Sequence, residues 1–363
     1  MTTLRVGVIG VGHLGKEHAR ILSGLSGVNL AGVADVNAAQ AEAIALRCGT
    51  KPHSDYRTLL DGIDAAVVAV PTCHHHAVAA DVLGRGIPTL VEKPLASTPD
   101  EAEELLALSR AKHVLLQVGH VERFNPAFEA LQQRPLTPKY VFGERSGGYT
   151  GRSTDIGVVL DLMIHDIDLV LALVKSSVAR VEALGLSVLG GPEDVATARL
   201  VFDNGCLADL RASRLAAAPV RQMQVWGQEG FARVDFAQKQ LTLTQPSSAL
   251  CQHRSGRRPF DAATQANLKH DLFGRHLQTL ELTSGPRDQL TNELEEFVRC
   301  VRTGDRPRVT AEEGRTALDV AGRILDSIQQ HSWDGIAGNS IGPNAFALPP
   351  AQLFLLPESG LAA

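Results

Sequence analysis

The chain reads as an α/β protein. The expected fold is an N-terminal Rossmann-type, doubly wound parallel sheet followed by a C-terminal α/β domain with an open-faced, mostly antiparallel sheet. Three observations predict this. Residues 1 to about 120 alternate short apolar runs with helical stretches, as a parallel sheet covered on both faces requires. The first run, Val6, Val8 and Ile9, breaks directly into Gly10-x-Gly12-x-x-Gly15 and a helical segment. From Lys139 to Thr244, strand-like runs follow one another across short Gly, Asn-Gly or Pro turns, the connections that antiparallel strands use.

After the opening strand, a helix is expected from Lys16 to Leu25 and a strand from Leu30 to Ala34. A helix over Ala38–Arg47 and a short one at Tyr56–Leu60 lead to the fully apolar strand Ala65–Val70. A helix from about His75 to Gly84 precedes the strand Thr89–Glu92. The helix Pro99–Ala111 has Thr98 as its cap, proline in its first turn and acids beside its positive end. Val114–Val118 reads as the next strand. The second half supplies strands at Tyr140–Glu144, Val178–Leu189, Ala196–Phe202, Leu207–Ser213, Gln222–Trp226, Ala232–Phe236 and Gln240–Thr244. Asp203-Asn204-Gly205 is a hairpin signal. Helical patterns cover Val158–Val174, Gln289–Arg302 and Ala311–Gln330, while Ser247–Gly285 shows no period and reads as a long excursion. These readings divide the chain into 1–122, 123–330 and a Gly/Pro-rich tail, 331–363. Helices on one face of the second sheet leave its other face to be buried by another subunit, so a homodimer or homotetramer is expected.

The 363 residues carry a net charge of −5 with no basic arm or stripe, which argues against nucleic acid and anionic membranes as partners. No apolar run is long enough to span a bilayer, and the first strand leaves no room for a signal peptide. Five scattered cysteines without a C-x-x-C pair suit a reduced, cytoplasmic setting.

The glycine pattern sits where a dinucleotide fingerprint needs it. Gly10 permits the turn, Gly12 lets the backbone approach a pyrophosphate, and Gly15 lets helix and strand pack; His13 and Leu14 lie in the same turn. Asp35 stands twenty residues after Gly15 at the end of the second strand, the offset of a carboxylate that holds the ribose hydroxyls. It repels a 2′-phosphate, and Val36-Asn37 offers no arginine, so NAD is favoured over NADP.

Three further clusters bear on chemistry. Pro71-Thr72-Cys73-His74-His75-His76 lies at the carboxyl end of a central strand. Adjacent histidines point in different directions, so no metal is expected, and one functional histidine at a helix start is the better reading. Glu92-Lys93-Pro94 leaves the next strand toward the same cleft; it reads as an ion pair or hydroxyl-polarising group, or as a solvated surface pair. Asp161, His165 and Asp168 stand four and three apart on one helical face in an apolar stretch. A histidine between two carboxylates is oriented and has a raised proton affinity, as a general base for an alcohol needs.

In order along the chain, these motifs resemble those of the Gfo/Idh/MocA oxidoreductases, the family of glucose–fructose oxidoreductase and inositol dehydrogenase. The resemblance spans roughly residues 4–330. It rests on GVIGVGHLG, Pro71-x-x-x-His75, Glu92-Lys93-Pro94, Gly119-x-x-x-Arg123-Phe124, Gly157-x-x-x-Asp161-x-x-x-His165-x-x-Asp168 and the C-terminal Glu293–Phe297 and Gly314–Ser327. It implies Lys93, Asp161 and His165 as the catalytic group, with His165 the proton acceptor, and Pro71, Thr72, His75 and Glu92 lining the cofactor. Arg123 and Asp168 then belong to the substrate side. Met163 departs from the glycine many members have, which leaves the Asp/His spacing intact. The run Arg145–Asp155 resembles a branch acting on nucleotide sugars; Arg123, Arg145 and Arg152 read either as bidentate donors to a diphosphate or as surface loop arginines. The expected reaction is oxidation of a secondary sugar hydroxyl, first of all the 3-hydroxyl of UDP-N-acetylglucosamine. A polyol, inositol or free-sugar dehydrogenase, an NAD-using glycosidase and a non-catalytic NAD-binding sensor are the alternatives.

Overall fold

The computed structural model describes residues 3–149, 156–283, 285, 288–333 and 341–345. The first sheet contains β1 (Leu4–Ile9), β2 (Val28–Ala34), β3 (Pro52–His53), β4 (Ala65–Val68), β5 (Thr89–Glu92) and β6 (Leu116–Gly119). They are parallel and lie in the order β3-β2-β1-β4-β5-β6. The order reverses between β1 and β4, so a crevice opens beyond the carboxyl ends of those two strands. All four residues of β4 are buried, as expected of a strand covered on both sides.

Helices α1 (Gly15–Gly24), α2 (Ala38–Cys48), α3 (Arg57–Leu60), α4 (His75–Gly84) and α5 (Pro99–Lys112) connect these strands. Asn37 and Thr98 cap α2 and α5 by accepting the amides of Gln40 and Glu101, which satisfies N–H groups a helix start leaves free. α6 (Pro126–Gln132) leads into the second sheet.

That sheet contains β7 (Tyr140–Ser146), β8 (Val178–Leu186), β9 (Val195–Phe202), β10 (Leu207–Ser213), β11 (Val220–Gly227), β12 (Gly230–Asp235), β13 (Gln240–Pro246) and β14 (Leu277–Thr283). The order is β14-β13-β12-β11-β7-β10-β9-β8. Only the β7–β10 pair among these is parallel. The Asp203-Asn204-Gly205 turn joins β9 to β10 as the sequence predicts, with Gly205 at φ +79°. Helices α7 (Ile164–Val174), α8 (Ser248–Arg254), α9 (Ala262–Asp271), α10 (Gln289–Thr303) and α11 (Ala311–Gln330) complete the chain. One core fills the space between the inner face of this sheet, with Val141, Leu200, Leu210 and Met223, and Ile164 and Ile167 of α7 and Ala317 and Ile324 of α11.

The structure differs from expectation in three places. The region 247–285 is an excursion with structure of its own: α8, α9 and the edge strand β14. Neither helix buries a residue, so no apolar stripe marked them in the sequence. The short α6 was also not anticipated. Finally, α10 packs on the first sheet. Its Leu294, Phe297 and Val298 share one core with Val6 and Val8 of β1 and Leu22 of α1. The first domain is therefore completed by a helix from the far end of the sequence, and the boundary expected at 122/123 divides the polypeptide but not the packing. Of the tail, Ser332 bridges Ile341 and the Ser187 amide donates to the Pro343 carbonyl; residues 334–340 and 346–363 lie outside the described residues.

Candidate active site

The glycine turn at the end of β1 meets its sequence requirements for separate reasons. Gly10 has φ +85°, and a Cβ there would stand 2.7 Å from the backbone of Ala69 and Val70. A Cβ on Gly15 would lie 1.8 Å from the Gly10 carbonyl oxygen. Gly12 is different: nothing lies within 4 Å of its Cβ position, so the chain itself does not require glycine there. The open space leaves room for a ligand to approach the backbone. Asp35, at the end of β2, accepts the Val11 amide (2.9 Å) and the Asn37 amide (2.9 Å), which holds its carboxylate beside the turn. Gln40 of α2 donates to the Val11 carbonyl (2.9 Å) from the other side. A cradle open at Gly12 and acidic at Asp35 fits NAD.

Across the crevice, Pro71 and Thr72 begin the 3-10 turn Thr72–His74 that leads into α4. The three histidines diverge. His74 is exposed, the Nε2 of His76 lies 2.8 Å from Glu104, and His75 is buried. The ring of His75 faces two carbonyl oxygens, those of Pro94 (2.7 Å) and Val70 (2.9 Å), so it ties the Lys93-Pro94 turn to the end of β4. It supports the crevice from behind.

Glu92 is likewise an internal group. Its Oε1 is 2.6 Å from Nε2 of the fully buried His18 on α1, and its Oε2 accepts the Lys93 amide (3.2 Å). Burial drives this carboxyl up, but His18 and then Lys93 bring it below the ordinary range. Glu293 of α10 lies close enough to feel that charge. Both its oxygens are buried without a hydrogen-bond partner among the described residues, and burial reinforced by Glu92 raises its proton affinity well above that of a normal glutamate. His18 was not singled out from the sequence, and Glu293 entered only as the first residue of the C-terminal motif.

Lys93 reaches from β5 to the second half of the chain. Its ammonium donates to the Asp161 carbonyl oxygen (2.7 Å) and lies 3.5 Å from the Asp161 carboxylate. Asp161 sits in a π-helical turn, Val159–Met163, that runs directly into α7 and His165. Glu193 fixes the start of that turn: its Oε1 accepts the Val159 amide (3.0 Å) and its backbone carbonyl accepts the Val158 amide. A Cβ on Gly157 would fall 2.0 Å from the same carboxylate, which is why glycine precedes the turn. Lys93, Asp161 and His165 are thus brought together at the crevice.

The electrostatics of His165 correct the expectation. Asp161 is engaged with Lys93, and Asp168 is paired with Arg123 (3.3 Å), so neither carboxylate holds the imidazole. Burial, then the charges of Lys93, Arg145 and Arg221, lower its proton affinity instead of raising it. His165 is neutral at ordinary pH, with a buried Nδ1 that has no partner. Its ring meets that of His120 edge-on, with centroids 6.4 Å apart.

The expected diphosphate donors also sit differently. Arg145 is buried, with Nη1 2.8 Å from Glu122 and Nη2 3.0 Å from Asp166. Arg123 is buried between Asp168 and Glu313 (2.8 Å). Both guanidinium groups neutralise carboxylates of this chain, and Asp168 is the counter-ion of Arg123, not a group facing a substrate. Arg152 lies outside the described residues. Sequence spacing identified these charges but not their partners, because Glu122 and Glu313 come from other elements. Among the described residues, no cluster of His, Cys, Asp or Glu is arranged to hold a metal, and no helix is long and apolar enough to cross a membrane.

A doubly wound sheet, an open glycine cradle with a ribose-type carboxylate and a lysine–histidine group in the crevice define a dinucleotide-dependent oxidoreductase. The chain belongs to the GFO/IDH/MocA oxidoreductase family: residues 4–120 match its NAD-binding Rossmann-fold model, and residues 127–233 match a GFO/IDH/MocA C-terminal domain. It is 40% identical over 332 residues to UDP-N-acetylglucosamine 3-dehydrogenase of Acidithiobacillus ferrooxidans, covering 91% of this chain and 98% of the relative. The solved structure of that enzyme superposes with a TM-score of 0.79, at 31% identity over 90% of this chain and 98% of its own. A scyllo-inositol 2-dehydrogenase (NAD(+)) of Bacillus subtilis is 26% identical over 350 residues, 87% of this chain and 92% of that one. The chain is thus an NAD-dependent dehydrogenase that acts on CH–OH groups.

Proposed function

We propose that this protein oxidises a secondary hydroxyl of a nucleotide sugar, the 3-hydroxyl of UDP-N-acetylglucosamine being the first choice. The similarity to the Acidithiobacillus ferrooxidans enzyme over nearly its whole length supports that choice. The observation that carries the chemistry is the contact from Lys93 to Asp161, which joins the β5 end of the NAD-binding sheet to the turn that leads into His165.

In this reading Gly10, Gly12, His13, Leu14 and Gly15 hold the pyrophosphate, and Asp35 holds the adenosine ribose, with Pro71 and Thr72 on the opposite wall. When bound, NAD supplies the hydride acceptor. His165, neutral and unprotonated on one ring nitrogen, takes the hydroxyl proton. Lys93, its side chain only 11% exposed, stabilises the oxygen as negative charge develops, and Asp161 keeps the ammonium aimed. His75 and Glu92 act behind this group by fixing the backbone on either side of Lys93.

A second reading, oxidation of an uncharged polyol or free sugar, is favoured by one observation: Arg123 and Arg145 are occupied by internal carboxylates. Under the first reading the substrate's diphosphate needs another cation. Arg221 on β11 is exposed, its guanidinium makes no hydrogen bond or ion pair among the described residues, and it is near enough to act on His165. The test is reduction of NAD by the purified protein with UDP-N-acetylglucosamine, N-acetylglucosamine and myo-inositol. Turnover of the nucleotide sugar at least about a hundredfold better than the others is expected, on the order of what one well-used charged contact provides. Preference for myo-inositol would overturn it.

The outer face of the second sheet supports self-association in a dimer or tetramer, and five scattered cysteines without a C-x-x-C pair suit work in the cytoplasm. Tyr140, Trp226 and Phe231 form a half-exposed aromatic row there, with ring centroids 5.1 and 5.0 Å apart. A monomeric mass by light scattering would sink that part of the reading.

A further inference from the structure

At the carboxyl end of β6, beside the lysine–histidine group, stands a third imidazole to which the sequence assigns no role. His120 is 1% exposed, and neither of its ring nitrogens has a hydrogen-bond partner among the described residues. A buried polar atom left unpaired costs about 1–3 kcal/mol, so two on one ring call for an explanation. Its position points to one. The ring meets His165 edge-on, it lies within range of the Lys93 charge, and it follows β6, the strand beside the Lys93-bearing β5. The other charges near it are already committed: Arg123 to Asp168 and Glu313, and Glu92 to His18.

We propose that His120 binds the substrate, holding through an uncharged imidazole the hydroxyl or amide oxygen adjacent to the carbon being oxidised. This rests on the assignment of His165 as the proton acceptor. With hydrogen bonds of about 2.8 Å from each ring, imidazoles whose centroids are 6.4 Å apart can reach two oxygens on neighbouring carbons. His165 then takes the reacting hydroxyl and His120 its neighbour. Burial, then the positive charges of Arg123 and Lys93, push the His120 imidazole down to about 3, so it stays neutral throughout the working range. A neutral ring can both donate and accept, which suits a sugar oxygen that does the same. A second cation at that point would instead compete with Lys93.

The test compares His120→Phe with His120→Gln, which fills similar space and keeps a donor and an acceptor. The substrate is fixed first on the unaltered enzyme by the panel described above, so failure of UDP-N-acetylglucosamine overturns that assignment alone. The present test is then read on whichever sugar or polyol is turned over. His120→Phe is expected to lower kcat/KM about a hundredfold, with the Kd for NADH, read by its fluorescence, unchanged within about twofold. His120→Gln should restore at least about tenfold. A substrate deoxygenated beside the reacting carbon should lose a similar factor with the unaltered enzyme and nothing further with His120→Phe. Three results would each overturn the proposal: unaltered kcat/KM in His120→Phe, an equal loss of NADH affinity, or continued discrimination against the deoxy substrate by that variant.

Discussion

His165 shows how far a neighbourhood can reverse what spacing suggests. Two carboxylates at i−4 and i+3 imply a proton-hungry imidazole, yet both are engaged by other cations, and burial with Lys93 and Arg145 leaves the ring neutral. A base must be unprotonated to act, so the acid limb of kcat/KM should fall well below the pH 6.5 of a free histidine. A pH–rate profile checks this, and a limb at or above 6.5 would contradict it. Glu293 gives a stability prediction of definite sign. Its folded-state proton affinity is raised, so its contribution is fully present below about pH 4.3, where the unfolded chain is also protonated. The contribution is lost progressively as pH rises. Glu293→Gln keeps the neutral shape and removes that loss; its melting temperature should exceed that of the unaltered protein at pH 8 and match it near pH 4. Arg145 separates an internal counter-ion from a ligand group. Arg145→Ala leaves Glu122 and Asp166 buried and unpaired, and should cost about 3–5 kcal/mol of stability in denaturant unfolding. A variant of undiminished stability with a raised substrate KM would restore the diphosphate role.

At the scale of elements, what was legible in the sequence was whatever repeats or punctuates. Buried strands such as β4, the Thr98 cap, the Gly10–Gly15 turn and the Asn-Gly hairpin all carry local signals, and each is where the sequence predicts it. Elements without an apolar stripe did not show. α8 and α9 bury nothing, and β14 is an edge strand with most residues exposed. In the site, Lys93, Asp161 and His165 were legible because a strand end and a helical spacing mark them. Their partners were not: His18, His120, Glu193 and Glu293 are isolated polar residues whose meaning comes from other elements packed against them. α10 makes the same point about packing. Phe297→Ala should destabilise the first sheet by about 3–5 kcal/mol although it lies far from it in sequence. We therefore propose that residues 1–122 do not fold by themselves; a cooperative melting transition of that fragment would contradict this.

For the whole molecule, the two sheets have separate tasks that meet in the crevice. One presents a cradle for a dinucleotide, closed by α10 from behind; the other carries the π-helical turn and α7, which bring Asp161 and His165 to Lys93. That meeting is the central claim, and one paired measurement tests it most directly: turnover and NADH affinity in Lys93→Ala and His165→Ala. Turnover should fall by at least about a thousandfold in each variant, the combined effect of lost charge stabilisation or proton transfer, while NADH still binds within a few-fold of the unaltered Kd. Full turnover in either variant would contradict the account.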